Sequence, residues 1–225
     1  MKFDRYAIYY TLQGSLAEVG AAWLGWDVAR GHAVAHPEVA GLDVAVLTQT
    51  PRKYGLHATI KPPFVLAEGT TADGLLAEFE ALCTRLSPVT FDGLALTPLG
   101  RFLALTPEGD TAALNAMAAE VVRGLDTFRA PPTEADLVRR RQANLTPKQE
   151  ANLSQWGYPY VMEAFRFHIT LTGKLPKGDL PQVTAALAPY IAPHLSQPFI
   201  LDSLTLVGQA EDGMFHEVHR AALSG

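Results

Sequence analysis

The sequence predicts an α+β fold of two similar lobes around one cleft, and three observations carry that expectation. Strand and helix periodicities alternate along the chain. A short pattern, His-x-Thr on a strand with an apolar reverse face, occurs twice: Leu56-His57-Ala58-Thr59-Ile60-Lys61, and Phe165-Arg166-Phe167-His168-Ile169-Thr170-Leu171-Thr172-Gly173. Each copy precedes a helix and two strands at matching distance, with 34 residues from His57 to Phe91 and 31 from His168 to Phe199. That is an internal duplication of architecture, not of sequence. It predicts one domain over 1–225, with a lobe at about 50–125, a second at about 160–225, and the N-terminal strand and helix packing across.

Taken in order, Tyr6 to Leu12 is aromatic and β-branched enough for a strand, closed by Gly14. Ser15 reads as the N-cap of a helix through Leu24, with Leu16, Val19, Ala22 and Trp23 on one stripe. Gly25 to Lys53 carries mainly turn signals, at Gly31, Pro37, Gly41 and Pro51. His57 to Ile60 is the first motif strand, stopped by Pro62-Pro63. A helix from about Thr71 to Leu86 turns Leu75, Leu76, Phe79, Leu82 and Cys83 inward. Val89 to Leu96 and Arg101 to Thr106 read as a hairpin through Pro98-Leu99-Gly100, and Ala112 to Leu125 as an amphipathic helix. Thr133 to about Trp156 is helical and polar, re-entered at Thr146-Pro147. The Phe165 strand, a turn from Gly173 to Gly178, and a helix from about Asp179 to Leu195 strained by Pro189 and Pro193 follow. Phe199 to Val207 and Phe215 to Ala221 close the chain as a hairpin around Gly213.

Composition narrows the function. The net charge of −5, with 18 basic against 23 acidic residues, argues against a polynucleotide partner, which needs a basic excess. A small anionic substrate needs only a local cluster. One cysteine, Cys83, excludes an internal disulfide and fits a reducing compartment. The absence of a leader-like start or a long uncharged apolar run predicts a cytoplasmic protein without membrane attachment, expected to act as a monomer.

The chemistry follows from the motif. With period 2, His168, Thr170 and Thr172 share a strand face, as do His57, Thr59 and Lys61. Imidazole suits proton transfer near neutral pH. Two of them opposed across a cleft can serve one substrate as base and acid. The threonine hydroxyls can hold phosphoryl oxygens while attack and departure occur in line. Lys61 shares the face of His57 and Arg166 that of His168, so both are candidate phosphate-binding cations, with Arg101 a third. Tyr54 and Thr172 are candidate substrate contacts. No metal-ligand spacing, Gly-rich phosphate loop or Gly-x-Ser-x-Gly elbow is present, so neither cofactor nor metal is expected.

Those two segments, together with Gln155-Trp156-Gly157-Tyr158-Pro159-Tyr160-Val161, resemble the two-histidine phosphoesterase superfamily, the LigT-like cyclic phosphodiesterases and RNA ligases. Within it they are similar to a branch encoded beside bacterial phosphonate-utilisation genes. The resemblance runs from Tyr6 to the last hairpin. It implies a pseudo-twofold fold with two antiparallel sheets, His57, Thr59, His168 and Thr170 as active-site residues, and a cyclic phosphodiester or similar ester as substrate. A protein that binds a phosphorylated or phosphonate metabolite without turnover, or an RNA-end-processing enzyme, are the alternatives.

Other candidates read more simply as structure. Tyr6, Tyr54, Tyr158 and Tyr160 could line a cleft, but tyrosine is common at sheet ends. Arg139-Arg140-Arg141 reads as a solvated helix face. His32 and His36 are bracketed by Gly31 and Pro37, and His216 and His219, three apart in a strand, point to opposite faces.

Overall fold

The computed structural model describes residues 2–225. Its centre is a seven-stranded sheet, antiparallel at every junction. β1 (Arg5–Thr11) and β4 (His57–Phe64) lie at its middle, flanked on one side by β10 (Ser203–Gln209) and β11 (Phe215–Ala222). On the other side come β8 (Ile169–Thr170), β7 (Phe102–Glu108) and β6 (Gly93–Leu99), giving the order β11-β10-β1-β4-β8-β7-β6. The short strands β5 (Val89–Phe91) and β9 (Phe199–Leu201) pair with each other outside that sheet, and β2 (Trp26–Asp27) with β3 (His32–Ala33).

The duplication is visible in the pairing itself. The two half-sheets meet at one ladder pair, Ala58 to Ile169, the middle residues of the two His-x-Thr segments. The next equivalent positions, Phe91 and Phe199, also pair with each other, and their rings stack at 5.2 Å. Equivalent residues paired together are what an approximate twofold axis between β4 and β8 requires. The half-sheets do not follow the expected sequence bounds of 50–125 and 160–225. The β6–β7 hairpin lies beside β8, and the β10–β11 hairpin beside β1, so the lobes exchange their hairpins and share one continuous sheet.

Four amphipathic helices cover one face: α1 (Gly14–Leu24), α3 (Ala72–Cys83), α4 (Ala112–Gly124) and α7 (Leu180–Ile191). Trp23, Phe79, Leu114 and Leu187 from these helices join Ile8, Tyr10, Ile60 and Ile169 from the sheet in one buried cluster. Burial of a large apolar side chain stabilises by roughly 1.5–3 kcal/mol, so this face fixes the strands. The opposite face of β1 and β4 is left for the cleft. A short α2 (Val44–Leu47) and a 3-10 turn at Arg52–Tyr54 occupy the stretch that sequence periodicity left undefined. Two polar helices, α5 (Glu134–Arg141) and α6 (Pro147–Trp156), follow, the second opened by a capping box between Thr146 and Gln149. Among the described residues no helix is long and apolar enough to cross a membrane.

Several boundaries differ from expectation for identifiable reasons. The cap of α1 is Gln13, not Ser15, because the chain turns through Gly14 at φ 64°. β4 runs through Pro62-Pro63 instead of stopping there. β8 pairs with it only at Ala58, so beyond that point one edge of β4 asks for no donor. Asp92 divides the expected strand at Val89 into β5 and β6. The Phe165 segment contributes only Ile169–Thr170 to the sheet, and Phe165 to His168 lie outside any strand.

Lys61 is a correction to the candidate site. Tyr9 pairs with Thr59 but Ile8 with Lys61, so Ile60 is an extra residue in β4. A bulge of this kind breaks the two-residue alternation. Lys61 therefore turns onto the helix face, 2% exposed, where Nζ donates to the Val122 carbonyl at 2.9 Å and to Asp126 at 3.4 Å. Burial pulls its pKa down to about 8, against the opposing pull of the Asp126 carboxylate. Lys61→Ala is expected to cost about 2–4 kcal/mol, less than a wholly abandoned buried pair because Arg129 still holds Asp126. Lys61→Met, which keeps the stem, should cost less. The check is denaturant unfolding beside steady-state kinetics: a large rise in KM without loss of stability would return Lys61 to substrate binding.

Candidate active site

The cleft opens on the sheet face opposite the helices. It measures about 340 Å³, within the range of small-ligand sites. His57, Thr59, Thr170 and Thr172 line it with Tyr9 and Tyr54.

His57 is held on three sides. Its Nδ1 lies 2.9 Å from the Gly55 carbonyl and its Nε2 3.1 Å from Thr59 Oγ1. A carbonyl can only accept, so Nδ1 carries the proton and the neutral ring offers its Nε2 lone pair to the Thr59 hydroxyl. The ring stacks on Tyr9 at 3.9 Å, with Tyr54 5.7 Å away, leaving His57 9% exposed. Burial lowers its pKa to about 4, the Gly55 hydrogen bond opposes the shift, and the charge of His168 adds to it. The His57 ring is thus neutral throughout the physiological range.

His168 repeats the arrangement: its Nδ1 lies 2.8 Å from the Arg166 carbonyl, again two residues earlier, leaving Nε2 free. It is half-exposed and does not itself line the cleft; its ring lies 5.9 Å from that of Phe102, which does. The two sites differ because the strand beside each histidine differs. Tyr9 sits opposite Thr59, whereas Ala104 sits opposite Thr170. A tyrosine ring covers His57, and no such ring covers His168.

Of the remaining candidates, Tyr54 is in the cleft. Thr172 lines it too, but its hydroxyl accepts from the Leu103 N–H at 3.0 Å and is 1% exposed, so its visible work is to anchor the segment after β8. Arg166 is not brought in: it is exposed and bonds the carbonyls of Glu163 and Phe165, because the chain there is not a strand and two-residue alternation does not apply. Arg101 is tied to the Leu175 carbonyl. The cations that line the cleft are Arg5, Arg140 and Lys174. Tyr9 and Arg5 escaped sequence reasoning because they sit far from either motif; their i, i+4 spacing on one face of the first strand was the available signal.

The low pKa of His57 has a sign that can be checked. Its neutral form is favoured in the fold, so the unfolded chain takes up a proton below about pH 6.5 that the fold refuses. Stability should be level above that pH and fall as pH drops from about 6.5 through 4, by roughly 3 kcal/mol in all at about 1.4 kcal/mol per unit. His57→Gln should flatten that part of the curve, read from unfolding free energies between pH 4 and 7. An unchanged slope in the variant would mean that His57 is not the group responsible.

The family described as "Protein of unknown function (DUF1045)" matches residues 59–216. Two curated relatives carry the name "Ribose 1,5-bisphosphate phosphokinase PhnN". The one from Janthinobacterium sp. (strain Marseille) is 36% identical over 98% of this chain and 51% of its own length. The one from Laribacter hongkongensis (strain HLHK9) is 33% identical over 93% and 49%. The chain thus spans about half the length of the curated relatives it matches. Among solved structures, a "phosphoesterase" superimposes over the whole of both chains at 13% identity and a TM-score of 0.45. E. coli LigT with 3'-AMP does so at 14% and 0.45. Likeness at that level is distant, and the chemistry rests on the cleft itself.

Proposed function

We propose that this chain, which belongs to the DUF1045 family, is a metal-independent phosphoesterase that opens a small cyclic phosphodiester by two-histidine acid–base catalysis. One observation carries the reading. Two imidazoles are each tied through Nδ1 to the carbonyl two residues earlier; His57 lines the cleft that holds Thr59 and Thr170, and His168 lies just outside that lining, next to Phe102, which is part of it. Such matched tautomers suit paired proton transfer.

In this reading His57 is the base. The Thr59 hydroxyl turns from Nε2 to a non-bridging phosphoryl oxygen, and the freed lone pair takes the proton of an attacking water. Thr170 holds a second oxygen. As the new P–O bond forms, the bond to the leaving alkoxide breaks and protonated His168 Nε2 supplies its proton. Water is added across the ester, and the two histidines exchange protonation states, reset through solvent. The negative substrate raises the basicity of His57 at the moment it is needed. Among the described residues no three His, Cys, Asp or Glu side chains converge as a metal site. The cleft volume and the net charge of −5 favour a substrate of mononucleotide size or smaller. The relatives' name, with ribose 1,5-bisphosphate in it, supports a ribose phosphate, and the phosphonate-gene resemblance points the same way.

The test is a panel of cyclic phosphodiesters incubated with the wild-type protein in EDTA and followed by phosphorus NMR. Ring opening of at least one member is expected. No turnover of any member would leave a binding protein instead, and activity that only zinc or manganese restores would remove the metal-independent part.

A further inference from the structure

Two guanidiniums border the cleft without a carboxylate partner. Arg139 and Arg141 pair with Asp136 and Glu150. Arg140 between them forms no ion pair among the described residues; its guanidinium lies 4.5 Å above the ring of Tyr158, and both residues line the cleft. Arg5 likewise forms none. Its Nε donates to Gln209 Oε1 at 2.7 Å, which fixes the side chain and leaves its outer nitrogens free. In a chain of net charge −5, two arginines without counter-ions at one cleft are a distinct feature.

A third group points to a ligand. The Tyr9 hydroxyl is fully buried and has no hydrogen-bond partner among the described residues. Leaving a buried hydroxyl unpaired costs free energy, and Tyr9 lines the cleft beside Arg5, Tyr54 and Tyr158. Burial raises its pKa, Tyr54 and Tyr158 adding to the rise and Arg5 opposing it, so the hydroxyl is a donor at neutral pH and lies within electrostatic reach of all three.

We propose that this end of the cleft, formed by Arg5, Arg140 and the Tyr9 hydroxyl, is a second anion subsite that takes a phosphate monoester carried by the substrate in addition to the ester that reacts. A cyclic phosphodiester is a monoanion, and the two threonine hydroxyls already serve it. Two free guanidiniums match the further charge of a monoester, whose oxygens accept fork-like donor pairs. The third donor, Tyr9, favours a tetrahedral group with three acceptor oxygens over a planar carboxylate. The subsite deepens the phosphoesterase reading, and its test is separate from turnover.

The experiment uses His168→Ala protein, so that the ligands survive, and calorimetric titration with adenosine 2′,3′-cyclic phosphate and with the same compound carrying a 5′-phosphate. The 5′-phosphate is expected to tighten binding roughly 10- to 100-fold, the worth of one or two charge-assisted contacts. Adding Arg140→Ala or Arg5→Gln should remove most of that gain. Tyr9→Phe, which keeps the stack on His57, should remove part of it. Equal affinity for the two compounds, no binding of the phosphorylated one, or a gain that survives both arginine changes would overturn the subsite. Failure of the wild type to open either ring, with an arginine-dependent gain intact, would instead count against the phosphoesterase reading alone.

Discussion

Replacing either His57 or His168 by alanine is expected to lower kcat/KM for a cyclic phosphodiester by roughly 10² to 10⁴-fold, the usual contribution of a positioned acid or base. The double variant should lose little more than the worse single one, because both groups act on the same transition state. The two substitutions differ in their cost to the fold. His168 is half-exposed and bonds only a neighbouring carbonyl, so its loss should leave stability within about 0.5 kcal/mol. His57 is packed under Tyr9, and His57→Ala opens a cavity; His57→Gln fills more of it. Rates therefore need to be compared at a temperature where each variant is shown to be folded. Full activity in folded His168→Ala would end the two-histidine mechanism, whatever happens at His57.

How much of this was legible beforehand depends on whether the relevant geometry is local. The duplicated pattern was readable because a strand's two-residue period puts histidine and threonine on one face by rule, and Ala58 pairing with Ile169 is that rule applied twice. Lys61 obeyed the same rule on paper and broke it in the fold, since one extra residue at Ile60 moves Lys61 to the other face. Arg166 failed for a different reason: period 2 says nothing where the chain is not a strand. The cleft's own cations could not be told from ordinary surface charge, because tertiary packing brings them to the cleft. Arg5 is held through the β1–β10 ladder, opposite Gln209, and Arg140 differs from its neighbours in forming no ion pair among the described residues. Aromatic cover was unreadable for the same reason, and it is what separates the two histidines. Ala104 and Tyr9 occupy corresponding places in strands that share no visible sequence pattern.

Gly55→Ala should be the most damaging single methyl group that can be added to the site. Gly55 has φ 68° and ψ −177°, a region essentially closed to residues with a Cβ. A Cβ there would also lie 2.7 Å from the Val28 Cβ, and Val28 is packed in the small cluster with Tyr9 and Phe215. Strain and overlap together predict a loss of about 2–4 kcal/mol of stability. The functional loss has a separate cause. The Gly55 carbonyl is the acceptor that keeps the proton on His57 Nδ1; if the peptide turns to relieve the strain, the ring can hold its proton on Nε2 and no longer offers a lone pair to the cleft. Nitrogen NMR of the imidazole should show one neutral tautomer in the wild type and a mixture in Gly55→Ala, with activity falling in proportion to the tautomer lost. Val28→Gly removes the overlapping Cβ, which Val28→Ala would keep, but not the backbone strain. In that background Gly55→Ala should therefore cost less stability than in the wild type while leaving the tautomer mixture in place. If the double variant regains both, steric crowding alone explains the effect and the carbonyl does not set the tautomer.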